Sequence, residues 1–132
     1  MREPCPFDYA IVRVVPRVER GEFINAGVIL FCPVEAFLEA RIELDRERLL
    51  ALAPSMDVAL VQSHLDVIPR VCRGGEEAGT IGELPQRARF HWLVAPRSTI
   101  IQVSPTHAGM HHDVALDAIL EQLFQKFVKA PA

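Results

Sequence analysis

The chain has 132 residues, half of them apolar and 23% charged, with a formal net charge of -3. That length is the common size of one domain, so a single domain over 1–132 is expected, and the apolar fraction excludes disorder because it buries enough surface to offset the entropy of ordering. A mildly acidic balance gives no electrostatic reason to expect nucleic acid as a partner, since such binding rests on a basic surface.

The first apolar run, Tyr9 to Pro16, is short and interrupted by Arg13, and acidic Glu3 and Asp8 precede it where a signal peptide would carry a basic segment. No window approaches the roughly 18 to 20 unbroken apolar residues that spanning a bilayer requires. A soluble, cytoplasmic protein without membrane attachment is therefore expected. Cys5, Cys32 and Cys72 are odd in number and widely spaced, which suits reduced thiols packed as small hydrophobes, and the absence of a C-x-x-C pair excludes a zinc ribbon.

Phe7 to Pro16 and Glu22 to Cys32 are rich in aromatic and β-branched residues and read as two strands of an antiparallel hairpin, joined through polar Arg17 to Gly21. In the second strand strict alternation sends Phe23, Ile29 and Phe31 to one face and Ile24, Ala26, Val28 and Leu30 to the other, so it should be central and covered on both sides. Leu38 to Leu44 alternates apolar residues with Glu39, Arg41 and Glu43, the pattern of a strand with one wet face. Asp45 opens a short helical segment that stops before Pro54. Ser55 or Asp57 caps a second, with Val58, Val61, Leu65 and Ile68 on one stripe, which Pro69 should kink or end before Gly74 and Gly75. His64 lies at the edge of that stripe and reads as a core histidine.

Arg73 to Gly82 contains four glycines and reads as an exposed, mobile loop. A helical turn within Pro85 to Trp92 and a strand at Ser98 to Ser104 follow. From Asp113 as cap, Leu116, Ile119, Leu120, Leu123, Phe124, Phe127 and Val128 repeat at the spacing of an amphipathic helix. The order of elements predicts an α+β fold: an antiparallel or mixed sheet built on the N-terminal hairpin, with helices packed on it.

Between Glu83 and Asp113 there is no acidic residue, and the segment holds three arginines, Arg87, Arg89 and Arg97, with four of the five histidines. Guanidinium forks and imidazoles gathered together would favour an anionic ligand such as a phosphate, whereas the alternative is that these arginines pair with carboxylates elsewhere. His107, His111, His112 and Asp113 form H-x-x-x-H-H-D, which has donors suited to a transition metal. Pro105 and Gly109 make the segment a loop, and a helix-entry loop is the preferred reading, with no metal site and no cofactor expected. On the hairpin, Arg13, Asn25 and Glu22 could bound a polar notch, or Asn25 and Gly27 could instead make a β-bulge.

The runs YAIVRVVPRVERGEFINAGVILF at 9–31 and FHWLVAPRSTIIQVSPTHAG at 90–109 resemble the two signature blocks of an uncharacterised prokaryotic family, catalogued as domain of unknown function 3037. The resemblance covers nearly the whole chain and implies kinship without a known chemistry. Members of that family resemble proteins encoded beside HipA-like kinases, which implies an accessory role with such a kinase as protein partner. Because both the notch and much of the acid-free segment fall inside these blocks, Arg13, Glu22, Asn25, Arg97 and His107 are expected to converge on one ligand-binding site.

Two classes of function suit these residues. The first is a non-catalytic accessory or binding module. The second is a small enzyme or ligand-binding protein acting on an anionic small molecule, with arginine clamping the anion and His107 as general acid or base. A homodimer through an exposed sheet edge is compatible with both.

Overall fold

The computed structural model describes residues 4–129. The two β-branched runs at its start form strands β1 (Cys5–Val14) and β2 (Ile24–Cys32), paired antiparallel from Asp8 opposite Phe31 to Val14 opposite Ile24. Their connection holds one 3-10 turn (Val18–Arg20), which Gly21 ends in the left-handed region at φ 70°. Strand β3 (Phe37–Ile42) returns along the far edge of β2. Helices α1 (Arg46–Leu52) and α2 (Val58–Arg73) follow, each capped by the aspartate expected: Asp45 accepts from the Arg48 N–H and Asp57 from the Leu60 N–H, both at 3.1 Å. Helix α3 (Gln86–Val94), strands β4 (Ile101–Val103) and β5 (His107–His111) and helix α4 (Leu116–Phe127) complete the α+β fold.

The sheet runs β3-β2-β1, and β4 and β5 lie end to end along the remaining edge of β1. Where these two short strands meet, Ser104 bridges them to β1: its N–H donates to Ile11 O at 2.9 Å while its Oγ accepts from the Ile11 N–H at 2.8 Å. The hydroxyl thus supplies the acceptor for the Ile11 N–H where the ladder breaks between β4 and β5. Both faces of the sheet are covered. Val12, Val14, Ile29 and Phe31 meet α1, α2 and α3 through Leu49, Leu65, Ile68 and Phe90, while Phe7, Ile11, Val28 and Leu30 meet Leu116, Leu120 and Phe124 of α4.

Several local readings are overturned by tertiary contacts. The β1–β2 register shifts between Val12 and Arg13, so that Gly27 faces Val12 and Asn25 faces Arg13, with Ala26 the extra residue. This bulge reverses the alternation, and Ile24 and Ala26 pack with Ile29 and Phe31 instead of Val28 and Leu30. Arg41, by contrast, keeps to the wet face expected and pairs there with Glu121 of α4. Pro69 does not end α2, which runs on to Arg73; the turn beyond it is held by buried Val71 and Cys72, and by Arg89 donating to both of their carbonyls. The glycine-rich segment is ordered into 3-10 turns over Glu76–Glu83 with a reversal at Gly79, closed by Gly75 N–H donating to Gly82 O at 3.0 Å.

The strand expected at Ser98 to Ser104 is shorter, and the segment read as a loop forms β5, because Cys5 to Tyr9 pairs with it residue by residue. Gly109 sits beneath the ring of Phe7, which occupies the space a side chain there would need. Asp113 is not the cap of α4: it takes a left-handed φ of 63°, Ala115 occupies the cap position, and Asp117 of the first turn accepts from the Ala118 N–H at 3.0 Å.

Two substitutions test this frame. A Cβ at Gly27 would lie 2.7 Å from the Arg41 carbonyl, so Gly27→Ala should cost about 1–3 kcal/mol in urea unfolding through displacement of β3. Ser104→Ala should cost about 1–3 kcal/mol in the same measurement, because the Ile11 N–H is left buried without its acceptor.

Candidate functional site

A mainly apolar cavity is built where the β4 edge meets α2 and α3. Parity puts Ile101 and Val103 on the sheet face occupied by α1 to α3, opposite Val14 and Val12, and β4 is too short to cover that face fully. The result is a cavity of about 560 Å³ whose walls include Val67 and Ile68 of α2, Trp92 and Leu93 of α3, Ile101 of β4 and Val18 of the hairpin connection. His64, Arg97, Ser98 and Thr99 supply its polar atoms. Volume and lining fall in the range of small-molecule sites: mainly apolar walls with a few convergent polar groups.

Arg97 is fixed at this cavity by local contacts. Its guanidinium lies 4.5 Å from the Trp92 ring centroid and donates to the carbonyls of Trp92 (2.6 Å) and Leu93 (3.1 Å) at the end of α3. A cation there offsets the negative end of the helix dipole, and the fork retains further N–H groups after two bonds. His64 is exposed, not a core residue: the buried stripe of α2 passes through Val61, Leu65, Ile68 and Val71, leaving position 64 on the solvent side.

The five residues expected to converge fall into separate contact sets. Arg13 and Asn25 do meet: they are cross-strand partners on the α4 face, Asn25 Nδ2 donates to Phe127 O at 3.0 Å, and the Arg13 guanidinium lies 4.3 Å from the Phe23 ring centroid. Arg13 Nε and Asn25 Oδ1 are buried there without hydrogen-bond partners. Glu22 is exposed and pairs with Arg20 at 2.5 Å, a hydrogen bond that holds its carboxyl below the usual range. His107 stands opposite Tyr9, ring centroids 5.3 Å apart. Arg97 is on the other face of the sheet.

The acid-free segment also resolves into separate roles. Arg89 serves the carbonyls of Val71 and Cys72 at the end of α2, Arg97 those at the end of α3, and Arg87 lies 5.7 Å from the Phe31 ring. Carbonyl dipoles and aromatic faces, not carboxylates, answer these cations. In β5, His107 and His111 share a face but stand four residues apart, about 13 Å along a strand, so they cannot bind one ion together. His112 is exposed beside Asp113 at 3.3 Å. A different donor set forms instead: Cys5, Glu35 and His111 bring one ligand atom each to within 4.8 Å of one another.

The family model described as "Protein of unknown function (DUF3037)" matches residues 9–128. The chain belongs to this family. No curated protein and no solved structure matches it. Within the DUF3037 match lie the bulge of the hairpin, every lining residue of the cavity named above, and α4; of the donor set, Glu35 and His111 fall inside it and Cys5 before it. Among the described residues, no helix of this DUF3037 protein is long and apolar enough to cross a membrane.

Cysteine environments differ in a measurable way. Burial pushes the Cys72 thiol up to about 12, against a smaller opposing influence of the Arg89 guanidinium. Its raised value means that the neutral thiol stabilises the fold fully below about pH 9, and that this contribution is lost as pH climbs toward about 12. Iodoacetamide at pH 8 should therefore label half-buried Cys5 in the native protein and reach buried Cys32 and Cys72 only after unfolding, as read by peptide mass spectrometry.

Proposed function

We propose that this protein is an accessory binding module whose ligand occupies the cavity between α2, α3 and β4. The observation that carries this reading is the combination of about 560 Å³ of mainly apolar space with Arg97 anchored at its wall. The chemistry fits a ligand with an apolar body and one anionic group. The body would release water from Val67, Ile68, Trp92 and Ile101, and the anion would take the guanidinium N–H groups that Arg97 does not spend on α3.

In the accessory role that anionic, apolar group belongs to a partner protein. Val18, Val67 and Trp92 favour this version, because each lines the cavity yet remains more than a third exposed, and apolar groups left at one opening mark contact surfaces. A HipA-like kinase is the first partner to test, on the family resemblance alone. A free anionic small molecule is the second reading, favoured by the cavity's volume.

Trp92 is the only tryptophan of the chain, so its fluorescence reports on this site without a label. Titration with the purified kinase, and separately with medium-chain alkyl carboxylates and alkyl phosphates, should give a saturable change in Trp92 emission with one of the two classes. Arg97→Gln should weaken that binding about tenfold or more, the worth of a charge-assisted hydrogen bond. Val67→Arg, at a partly exposed position, should abolish it by filling the cavity. Flat titrations throughout, or undiminished binding by Val67→Arg, would exclude the cavity as the recognition site.

A further inference from the structure

Three segments far apart in sequence meet at the other end of the sheet, beyond the α4 cluster. Cys5 opens β1 and stands directly opposite His111, the last residue of β5. Glu35 comes from the turn between β2 and β3, where Ala36 takes a left-handed φ of 52° and its N–H donates to Pro33 O. That turn folds the carboxylate over the β1–β5 edge, with Glu35 Oε2 2.7 Å from His111 Nε2.

His111 is the decisive residue. Among the described residues it is one of two polar side chains that are buried, at 6% exposure. Its Nδ1 lies 3.1 Å from Val114 O, an acceptor only, so the ring proton belongs on Nδ1 and Nε2 is left as an acceptor near Cys5 and Glu35. The Glu35 oxygen is close to Nε2 but off the axis a ring N–H would require, and Nε2 has no hydrogen-bond partner. A backbone carbonyl fixing one ring nitrogen while the other faces a thiol and a carboxylate is the arrangement that orients a metal-bound histidine.

We propose that Cys5, Glu35 and His111 form a site for a divalent transition metal of the zinc class. A thiolate and an imidazole select a borderline or soft ion over magnesium or calcium, and a carboxylate completes a ligand set accepted by Zn²⁺. The donors lie within 4.8 Å of one another, against edges of about 3.3–3.8 Å in a tetrahedral zinc site, so the three segments would shift by about an ångström to close around the ion. Three protein ligands leave a fourth position, on the solvent side of Glu35, open to water or a further ligand. The ion would join the start of β1, the β2–β3 turn and the end of β5.

The test uses the full chain, stripped with a chelator and titrated with Co²⁺ alone and then with Zn²⁺. The expected result is one Co²⁺ per chain with an intense thiolate-to-cobalt charge-transfer band, displaced by one equivalent of Zn²⁺, and slowing of Cys5 alkylation by Zn²⁺. Cys5→Ser should remove the band, and Glu35→Gln, an isosteric change on the β2–β3 turn, should weaken binding by more than the roughly 10–100-fold that loss of an outer-shell partner costs. His112→Ala should leave both readouts unchanged. Absence of the band at stoichiometric Co²⁺, or full Co²⁺ affinity in Glu35→Gln, would overturn the proposal, as would loss of the site in His112→Ala.

Discussion

The single extra residue that β2 carries opposite Val12 and Arg13 decides what lies on each side of the sheet. With Ala26 inserted, Ile24 and Ala26 turn toward α1 to α3 and join Ile29 and Phe31, and Arg13 and Asn25 come to face each other beside the end of α4. The bulge also brings β3 in close: Ala26 O accepts from the Glu43 N–H at 2.8 Å, and Gly27 passes the Arg41 carbonyl with no room for a side chain. Two helical layers are thereby fitted to one strand that a strict alternation would have set out of phase by a residue.

Features governed by neighbours in sequence were readable. Asp45 and Asp57 cap helices because a carboxylate one turn ahead of free N–H groups needs nothing else, and the apolar stripe of α4 is written at its own period. Features governed by distant pairing were not. Nothing in His107 to His111 has strong strand propensity; β5 exists because Cys5 to Tyr9 offers it a ladder and Phe7 covers Gly109. The candidate cavity was half legible. Arg97 was singled out for its charge, but its assignment to a site with Arg13 and His107 required knowing face parity across the sheet, and Trp92 and His64 carried no signal beyond their residue types. Cys5, Glu35 and His111 have no spacing that a motif could contain.

Guanidinium groups explain the unusual charge distribution better than an anion site for the whole segment. Arg89 and Arg97 each close a helix from outside it, donating to the last carbonyls of α2 and α3, and a carboxylate nearby would compete for the same N–H groups. Ion pairs form instead between α4 and β3, where Arg41 meets Glu121, and just beyond their ends, where Lys129 meets Glu43. These pairs are exposed, so they orient α4 more than they stabilise it.

The bridge between Ile11 and Ser104 spans 93 positions. During synthesis β1 can pair with β2 at once, but its other edge, through Phe7 to Val14, has no partner until that later segment is made. At about 5–20 residues per second this leaves an apolar strand edge open for roughly 5–20 s in each nascent chain. The interval is long enough for a nascent-chain chaperone or a second strand to engage it, and it makes completion of the sheet the late step of folding, set by chain topology and not by any local element.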